Sequence, residues 1–409
     1  MYNTFGGINL EITEIAEIIN KNGGRLYYVG GYVRDKLMGR TPKDIDFCIT
    51  NLSPDKFADL FPKAFSKGAF FPVFQFQGYE FAFARKETKL SSGHTGFSYD
   101  INNVTIEDDL FRRDVTINSM AIDVISNELI DPFGGKNDLE KRILRATSTH
   151  FSEDPLRVYR VAQFSSRFNF SISYDTKLLM KSMKEELHTL SSERVFEELR
   201  KALRSDTPSK FFEVLCELDL LDIHFPEIES LIGVIQPEIY HPEGDAYIHS
   251  LMVLDEVAKK TSDEKTRFSA LLHDLGKART PKDILPHHYG HDKIGEQPVR
   301  DLCNRLKTPT AWKKLAVVVA TEHMKAGIFD KMSYAKKVSF IERNIKYIDE
   351  LETIAKVDSK NSSLNFAEIG KKMVSEINGN TITLPNNFKA KELLHSARVS
   401  WLKHYLPET

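Results

Sequence analysis

The sequence GGYVRD at residues 30–35, followed by KDID at residues 43–46, decides the fold of the N-terminal part of this chain. Two glycines let the backbone approach a phosphate, and an arginine follows within one helical turn. Asp44 and Asp46 are one residue apart, so on a strand both carboxylates would project from the same face. Neighbouring carboxylates repel each other unless a cation lies between them, and oxygen ligands suit Mg²⁺. The stretch therefore predicts a nucleotide site with bound Mg²⁺, the outline of a nucleotidyltransferase.

The residues around this stretch predict alternating strands and helices. The expected elements are a helix at 9–20, a strand at 26–31, a helix at 33–39 and strands at 44–50, 71–76 and 79–85. An apolar segment at 115–125 precedes the turn sequence DPFGG at 131–135. From about residue 140 onward, apolar residues recur with the period of a helix.

The predicted fold class is therefore α/β plus all-α, with a mixed N-terminal head followed by an extended helical remainder. Turn-rich breaks at 233–247 and 279–291 divide the remainder, and the polar segment 361–388 is left unassigned. The predicted domains are a catalytic head at 1–140, a helical neck and body at 141–235, a further helical domain at 236–360 and a C-terminal helical tail at 361–409.

Composition restricts the class of protein. A chain of 409 residues with 41% hydrophobic and 28% charged residues is typical of a folded protein with several domains. The net charge of -2 means that any nucleic-acid surface is a local patch. Three scattered cysteines predict neither a disulfide framework nor a zinc knuckle. We find no export signal and no long apolar run, so a cytoplasmic protein without a membrane span is expected.

Two further features could belong to the nucleotide site. Glu80, on a predicted strand, is a candidate third carboxylate, although an exposed strand charge is an equal alternative. The sequence DLFRRD at 109–114 places two arginines beside acids. This is commonly a salt-bridged surface, but in a nucleotide site a forked guanidinium is a natural clamp for a triphosphate.

These motifs, with Glu153-Asp154-x-x-Arg157, resemble in order those of class II tRNA nucleotidyltransferases, the CCA-adding enzymes, and of the related bacterial poly(A) polymerases. The resemblance implies a DNA polymerase β-like head and a helical neck and body that selects nucleotides and binds the tRNA acceptor arm. It implies that Asp44 and Asp46 bind catalytic Mg²⁺. The residues implied in binding CTP or ATP are Gly31, Arg34, Arg113, Asp154, Arg157 and Arg160.

The spacing of the base-selecting residues agrees with this role. Asp154, Arg157 and Arg160 are three residues apart, as neighbours on one helix would be, and they offer an acceptor and donor forks to a base edge. A helix-surface ion pair is the alternative. Gln163 stands where the family often has another arginine, so no binding role is assigned to it. The segment at 91–97 resembles the family's flexible loop for switching from C to A addition, and an ordinary surface loop is the alternative.

Histidines and aspartates in the C-terminal half predict a second metal site. His273-Asp274 ends an apolar helical run, and several histidines lie on neighbouring segments. This pattern resembles the HD phosphohydrolase domain of the bacterial multifunctional CCA proteins. The resemblance implies His249, His273, Asp274 and Asp358 as ligands of a divalent metal, Ni²⁺ or Mg²⁺, and His291, His323 and Lys277 near the phosphate.

The sequence thus predicts a template-independent enzyme that builds or repairs the CCA end of tRNA. The resemblance adds 2′,3′-cyclic phosphodiesterase, 2′-nucleotidase and phosphatase activities, and a monomer or weak homodimer is expected. One alternative is a poly(A) polymerase or an A-adding enzyme, which shares the head motifs. A second is an RNA-binding scaffold without activity; a structural, inactive HD domain is a related possibility for the second site.

Overall fold

The computed structural model describes residues 10–42, 44–67, 73–89, 97–100, 103–381 and 389–406. The chain divides into two compact units, Met1–Leu190 and Ser191–Thr409. The first unit is a mixed α/β structure and the second is helical. The predicted α/β head followed by a helical remainder is therefore confirmed.

The strands of the first unit form one large sheet and two short ladders. They are β1 Arg25–Val29, β2 Asp46–Thr50, β3 Phe65–Lys67, β4 Val73–Phe76, β5 Tyr79–Phe83, β6 Lys86–Lys89, β7 Phe97–Asp100, β8 Ala121–Asp123, β9 Leu129–Ile130, β10 Ile143–Leu144 and β11 Ser171–Ile172. The large sheet has the order β3-β4-β5-β2-β1-β8-β9. β2 runs parallel to β5 and antiparallel to β1, which places the start of β2 beside the end of β1.

The helices of the first unit flank this sheet or follow it. They are α1 Ile12–Lys21, α2 Gly31–Leu37, α3 Pro54–Leu60, α4 Ile106–Phe111, α5 Gly135–Lys141, α6 Leu156–Phe168, α7 Tyr174–Ser182 and α8 Lys184–Leu187. Alternation along β2 sends Phe47 and Ile49 into one cluster with Phe57 of α3, and Cys48 into another. Because both faces are covered, its first residue, Asp46, is the one that remains exposed.

The second unit is built from helices around its own core. They are α9 Ser192–Leu203, α10 Ser209–Glu217, α11 Leu221–His224, α12 Pro226–Glu229, α13 Ala246–Ala258, α14 Glu264–Leu272, α15 His291–Ile294, α16 Glu296–Arg305, α17 Thr310–Gly327, α18 Tyr334–Asn344, α19 Ile348–Asp358, α20 Phe366–Glu376 and α21 Lys389–Tyr405. Val257, Val319, Ile341 and Leu351 share one buried cluster. None of the helices described here is both long and apolar enough to cross a membrane.

Candidate functional site

The head site is centred on Asp46, at the start of β2. The parallel register of β2 and β5 places Asp46 opposite Glu80, whose carboxylate accepts a hydrogen bond from the Gln75 amide at 2.6 Å. Partial burial raises the pKa of Asp46, Arg113 lowers it, and the charges of Glu80 and Asp44 raise it again. These carboxylates therefore repel one another. Arg113 alone does not neutralise these carboxylates, and their oxygens are the ligands that a cation such as Mg²⁺ prefers.

Asp44 does not share the strand with Asp46, so the predicted strand at 44–50 is wrong at its beginning. Asp46 pairs with Val29, the last residue of β1. Gly30 then turns the chain away with φ 63° and ψ -126°, which leaves Asp44 without a ladder partner. Asp44 is exposed in the approach to β2, close enough to influence the pKa of Asp46.

Arg113 lies against the glycine pair. A Cβ atom on Gly30 would lie 3.1 Å from Arg113 Nη1. Asp109, which is 1% exposed, holds the Arg113 guanidinium through Nε at 3.3 Å and Nη2 at 3.0 Å. The structure therefore brings Gly30, Asp46 and Arg113 together. Gly30 can lie this close to the Arg113 guanidinium because glycine has no side chain.

Asp109 also binds the other arginine of the motif. It accepts from Arg112 Nε at 3.1 Å and Nη2 at 2.9 Å. Burial would raise the pKa of Asp109, but the two guanidinium groups outweigh burial and hold the pKa below its usual range. Asp109 is thus an ionised support for two arginines rather than a surface acid.

Arg34 is enclosed by protein groups. It is 4% exposed, donates to Asp35 at 2.9 Å and to the Asn118 amide oxygen at 2.5 Å, and lies 4.7 Å from the centre of the Phe168 ring. Burial lowers its pKa, an effect that Asp35 opposes. A Cβ atom on Gly31 would lie 3.4 Å from Arg34 Nη2, so the Arg34 guanidinium lies directly against the glycine pair.

Asn118 connects Arg34 to Arg160. Its amide nitrogen donates to Asp114 at 3.1 Å, and Asp114 accepts from Arg160 Nε at 2.8 Å. Burial would raise the pKa of Asp114, but Arg160 and the hydrogen bonds lower it. A continuous, largely buried network of side chains therefore joins α2 to the partly exposed Arg160 of α6.

Asp154 is not on the helix that carries Arg157 and Arg160, so the prediction of one helix for all three is wrong. Asp154 has extended backbone angles and precedes Pro155, and a residue before proline avoids the helical region. α6 begins at Leu156, whose amide donates to Asp154 Oδ1 at 3.0 Å. Asp154 therefore supports the start of the helix.

Arg157 is tied to the backbone near the arginine pair. Its Nη1 donates to the His150 carbonyl at 2.5 Å and its Nη2 to the Arg112 carbonyl at 2.6 Å. Burial lowers its pKa. Gln163, further along α6, is 2% exposed. It therefore lies in the core of this unit.

Two other predictions concern the surface. Residues 91–96 of the predicted switching loop lie outside the described residues. The sequence also offers Arg194, Arg200, Lys201 and Arg204 as candidates for tRNA contact, with an ordinary charged helix face as the alternative. Within the second unit, Arg200 of α9 is ion-paired with Glu197 and Glu264, and Lys201 with Glu198. These two side chains have the contacts of an ordinary charged helix face.

In the second unit, three separate segments bring the four predicted metal ligands of the HD domain together. His249 comes from α13, His273 caps α14, Asp274 follows it, and Asp358 ends α19. His249 Nε2 lies 3.0 Å from Asp358 Oδ1, and His273 Nε2 lies 3.1 Å from Asp274 Oδ2 and 3.5 Å from Asp358 Oδ1. All four are packed around one point.

The predicted phosphate-side residues adjoin the same aspartate. Asp274 Oδ1 lies 3.2 Å from His291 Nε2 and 3.5 Å from His323 Nε2. Lys277 Nζ lies 2.5 Å from Asp274 Oδ2 and 2.5 Å from the Gln236 amide oxygen. Asp274 therefore lies between the two groups of histidines.

The geometry of this cluster fits a bound divalent cation. Among the described residues, His273 Nε2 and both carboxylate oxygens of Asp274 are buried without a well-formed hydrogen bond. Ligands about 2.1 Å from a metal are separated by about 3.0 to 3.4 Å. The distances between His249, His273 and the two aspartates run from 3.0 to 3.7 Å, so small shifts would bring all four onto one cation. Burial opposes a proton on His273, but the two aspartates raise its pKa to about 10. The carboxylates thus attract a positive charge.

Backbone and side-chain acceptors orient the imidazoles. His273 Nδ1 lies 2.7 Å from the Ala270 carbonyl and His291 Nδ1 lies 2.6 Å from the His288 carbonyl. Such contacts leave Nε2 for a ligand role. Glu243 Oε1 lies 2.6 Å from His249 Nδ1 and orients it in the same way. Sequence reasoning missed Glu243, and its only signal was its position six residues before His249.

Three protein families match this chain. Residues 26–145 match a family described as "Poly A polymerase head domain", residues 169–232 one described as "Probable RNA and SrmB- binding site of polymerase A", and residues 246–356 one described as "HD domain". The fold and the two sites therefore define a nucleotidyltransferase head joined to an HD domain. Both kinds of domain depend on a metal.

Curated relatives make the assignment more specific. The multifunctional CCA protein of Acinetobacter baylyi is 46% identical over 310 residues, which cover 74% of each chain. That of Nitrosococcus oceani is 47% identical over 305 residues, covering 73% of this chain and 74% of the relative. The chain belongs to the family of multifunctional CCA proteins.

Solved structures agree on the fold. The CCA-adding enzyme of Bacillus stearothermophilus in complex with CTP has a TM-score of 0.64 at 20% identity, covering 98% of this chain and 94% of that one. The Thermotoga maritima CCA-adding enzyme complexed with tRNA has a TM-score of 0.64 at 19% identity, covering 97% and 92%. At these identities the likeness establishes the fold.

Proposed function

We propose that this chain adds the 3′-terminal CCA of tRNA from CTP and ATP with release of pyrophosphate, and that its HD domain hydrolyses phosphate esters. The main support in the head is the meeting of the Asp46 carboxylate, the Arg113 guanidinium and the open backbone of Gly30. That combination offers a negative cradle for a metal beside a positive clamp for a triphosphate. Family membership supports the choice of substrate.

In this proposal the head residues divide the work by charge. Asp44 and Asp46 hold Mg²⁺, which supplies charge stabilisation for the attacking and leaving oxygens. Arg113, fixed by Asp109, binds the triphosphate, and Gly31 lets the backbone approach it. Arg34 contributes indirectly by packing against the glycine pair, since its hydrogen bonds are made to Asp35 and Asn118. The tRNA 3′-hydroxyl attacks the α-phosphate in line and pyrophosphate leaves.

Asp154, Arg157 and Arg160 would select the base. Asp154 offers an acceptor and the arginines offer donors, which is the complement of a Watson–Crick edge. Arg160 is held by Asp114 and Arg157 by two carbonyls, so both guanidinium groups are positioned before a nucleotide arrives. These contacts explain how the two side chains could act as a fixed template.

For the HD domain, the buried group of His249, His273, Asp274 and Asp358 would hold a divalent metal, Ni²⁺ or Mg²⁺. The cation would supply Lewis-acid stabilisation of phosphate charge. His291, His323 and Lys277 would contact the phosphate from the side of Asp274. The expected activities are 2′,3′-cyclic phosphodiesterase, 2′-nucleotidase and phosphatase.

The nucleotidyltransferase proposal is tested with three tRNAs that lack CCA, end in C, or end in CC. Each is incubated with labelled CTP or ATP, and the products are resolved at single-nucleotide length. We expect ordered addition that stops after A. Repeated ATP incorporation without CTP addition would instead identify a poly(A) polymerase, and no incorporation would favour an inactive RNA-binding scaffold.

The HD proposal is tested with His273→Ala and 2′,3′-cyclic AMP in the presence of Mg²⁺, Mn²⁺, Co²⁺ or Ni²⁺. We expect hydrolysis to be lost while CCA addition continues. His404→Ala, an exposed histidine on α21, is the matched control and should change neither activity. If wild-type protein hydrolyses nothing with any of these metals, the phosphohydrolase assignment fails.

A further inference from the structure

A cavity of about 630 Å³ opens against two of the proposed HD metal ligands. It lies within the second unit, and its lining includes His249 of α13 and Asp358 of α19. A volume of this size is within the range of about 300 to 1,000 Å³ that is usual for small-molecule pockets. Since the ligands form part of its wall, a molecule in this cavity would be next to the metal site.

One wall of the cavity is apolar. Met252 and Val253 of α13 face it together with Val357 of α19. Val253 belongs to the core and is 3% exposed, whereas Met252 is 48% exposed. A flexible thioether side chain beside aliphatic groups suits the flat face of a nucleobase.

The rim of the cavity carries three lysines: Lys260, Lys356 and Lys360. Lys356 donates to Glu352 at 2.7 Å. Lys260 and Lys360 are exposed, and no ion pair of either is found in the described part of the chain. They are therefore available to a phosphate.

The lining carries no net negative charge, so it can accept an anion even without a metal. The three lysines balance the three acidic residues that line the cavity, Glu243, Glu256 and Asp358. A divalent cation would add positive charge and strengthen the attraction for a phosphate. A ligand with an apolar face and more than one phosphate position matches this arrangement, and a short stretch of RNA has both.

We propose that this cavity binds the last nucleotides of the RNA whose terminal phosphate ester the HD site hydrolyses. The terminal base packs on Met252 and Val357, and Lys260 and Lys360 bind the phosphodiester that precedes it. The inference rests on the proposed phosphohydrolase function, and it makes an RNA end, rather than a free mononucleotide, the preferred substrate. In the hydrolysis, water attacks phosphorus, one ring P–O bond of the cyclic phosphate breaks, and the proton passes to the released ribose oxygen.

Binding is measured on the full chain without relying on activity. The methyl groups of the nine methionines are labelled with carbon-13, and the Met252 signal is assigned with Met252→Ala. EDTA-treated protein is titrated with 3′-AMP and with the dinucleotide ApA that carries a 3′-phosphate. We expect the dinucleotide to shift the Met252 signal and to bind about tenfold more tightly than 3′-AMP.

The double variant Lys260→Gln/Lys360→Gln should lose this tenfold preference while CCA addition is unchanged. Both lysines are exposed, so the variant is expected to fold. Lys336→Gln, an exposed lysine on α18 outside the cavity lining, is the control and should keep the preference. In metal-loaded protein the double variant should raise KM for the dinucleotide 2′,3′-cyclic phosphate and leave kcat unchanged.

A Met252 signal that does not move, or a double variant that still prefers the dinucleotide, would overturn the inference. If the dinucleotide shifts Met252 but no divalent metal supports hydrolysis, the cavity remains a binding site and the phosphohydrolase proposal fails. The two proposals are thus separated by one set of samples.

Discussion

At the scale of single residues, the head site depends on Gly30 for two separate reasons. Gly30 has φ 63°, a backbone conformation that other residues adopt at a cost of about 1 to 3 kcal/mol. It also leaves room for the Arg113 guanidinium, which a Cβ atom would approach to 3.1 Å. Gly39 has φ 67° and no neighbouring atom within 4 Å of a Cβ position. Comparing substitutions at these two glycines therefore separates the effect of backbone strain from the effect of displacing the Arg113 guanidinium.

We therefore expect Gly30→Ala and Gly39→Ala both to lower thermal stability, while only Gly30→Ala lowers kcat/KM for CTP and ATP, by about tenfold or more. Circular dichroism measures stability and single-nucleotide incorporation measures activity. Equal activity in the two variants would mean that contact between Gly30 and Arg113 does not position the triphosphate clamp.

The buried carboxylate of Asp109 should make the stability of the head depend on pH. Because its pKa is lowered in the folded protein, the stability that it contributes is complete above the pKa of the unfolded chain, about 3.9, and is lost as the pH falls through the folded-state pKa. Asp109→Asn should lower the free energy of unfolding of the head by about 1 to 3 kcal/mol at pH 7.

The difference in the free energy of unfolding between wild type and Asp109→Asn should become smaller as the pH is lowered from 5 to 3. Urea unfolding followed by circular dichroism measures it, with Asp59→Asn, an exposed position on α3, as control. A gap that stays constant across this range would contradict ionisation of Asp109 as the source of the effect.

At the scale of elements, close packing of short segments sets the HD site. Gly276 lies in the 3₁₀ turn Leu275–Arg279, and a Cβ atom there would lie 2.0 Å from the His291 carbonyl and 2.7 Å from the Gly295 nitrogen. The turn carries Lys277 and its neighbour α15 carries His291. Their approach places both residues beside Asp274.

Gly276→Ala should therefore separate the turn from α15, and we expect metal content after dialysis and phosphohydrolysis both to fall about tenfold or more. Gly233→Ala is the control, because Gly233 has positive φ but open space around it. Metal content is read by mass spectrometry, and fluorescence of Trp312 and Trp401 reports whether the second unit remains folded. A variant that keeps its metal would refute the packing argument.

Two elements, α20 and the start of β2, could not be predicted from local sequence patterns. α20 falls in the segment left unassigned, although Phe366, Ile369, Gly370 and Met373 repeat with helical spacing and are buried. Polar residues on either side diluted that signal. The start of β2 depended on where its partner β1 ends, which is a tertiary feature that no local pattern contains.

At the scale of the whole molecule, the candidate HD residues could be predicted because their order along the chain resembles a known family. Their convergence could not be worked out from the residues, since His249 and Asp358 are far apart in sequence and meet at 3.0 Å. Glu243 and the Asn118 network were not predicted. Each is a single polar residue whose role exists only through contacts formed on folding.

In our proposal, one chain carries two independent chemistries, CCA addition in its first unit and phosphate-ester hydrolysis in its second. Wild type, Asp46→Asn and His273→Ala are each assayed for addition of A to tRNA ending in CC and for hydrolysis of 2′,3′-cyclic AMP. We predict that wild type adds one A and hydrolyses the cyclic nucleotide, that Asp46→Asn loses only addition, and that His273→Ala loses only hydrolysis. Repeated A addition by wild type, or a folded variant that loses both activities, would contradict the account.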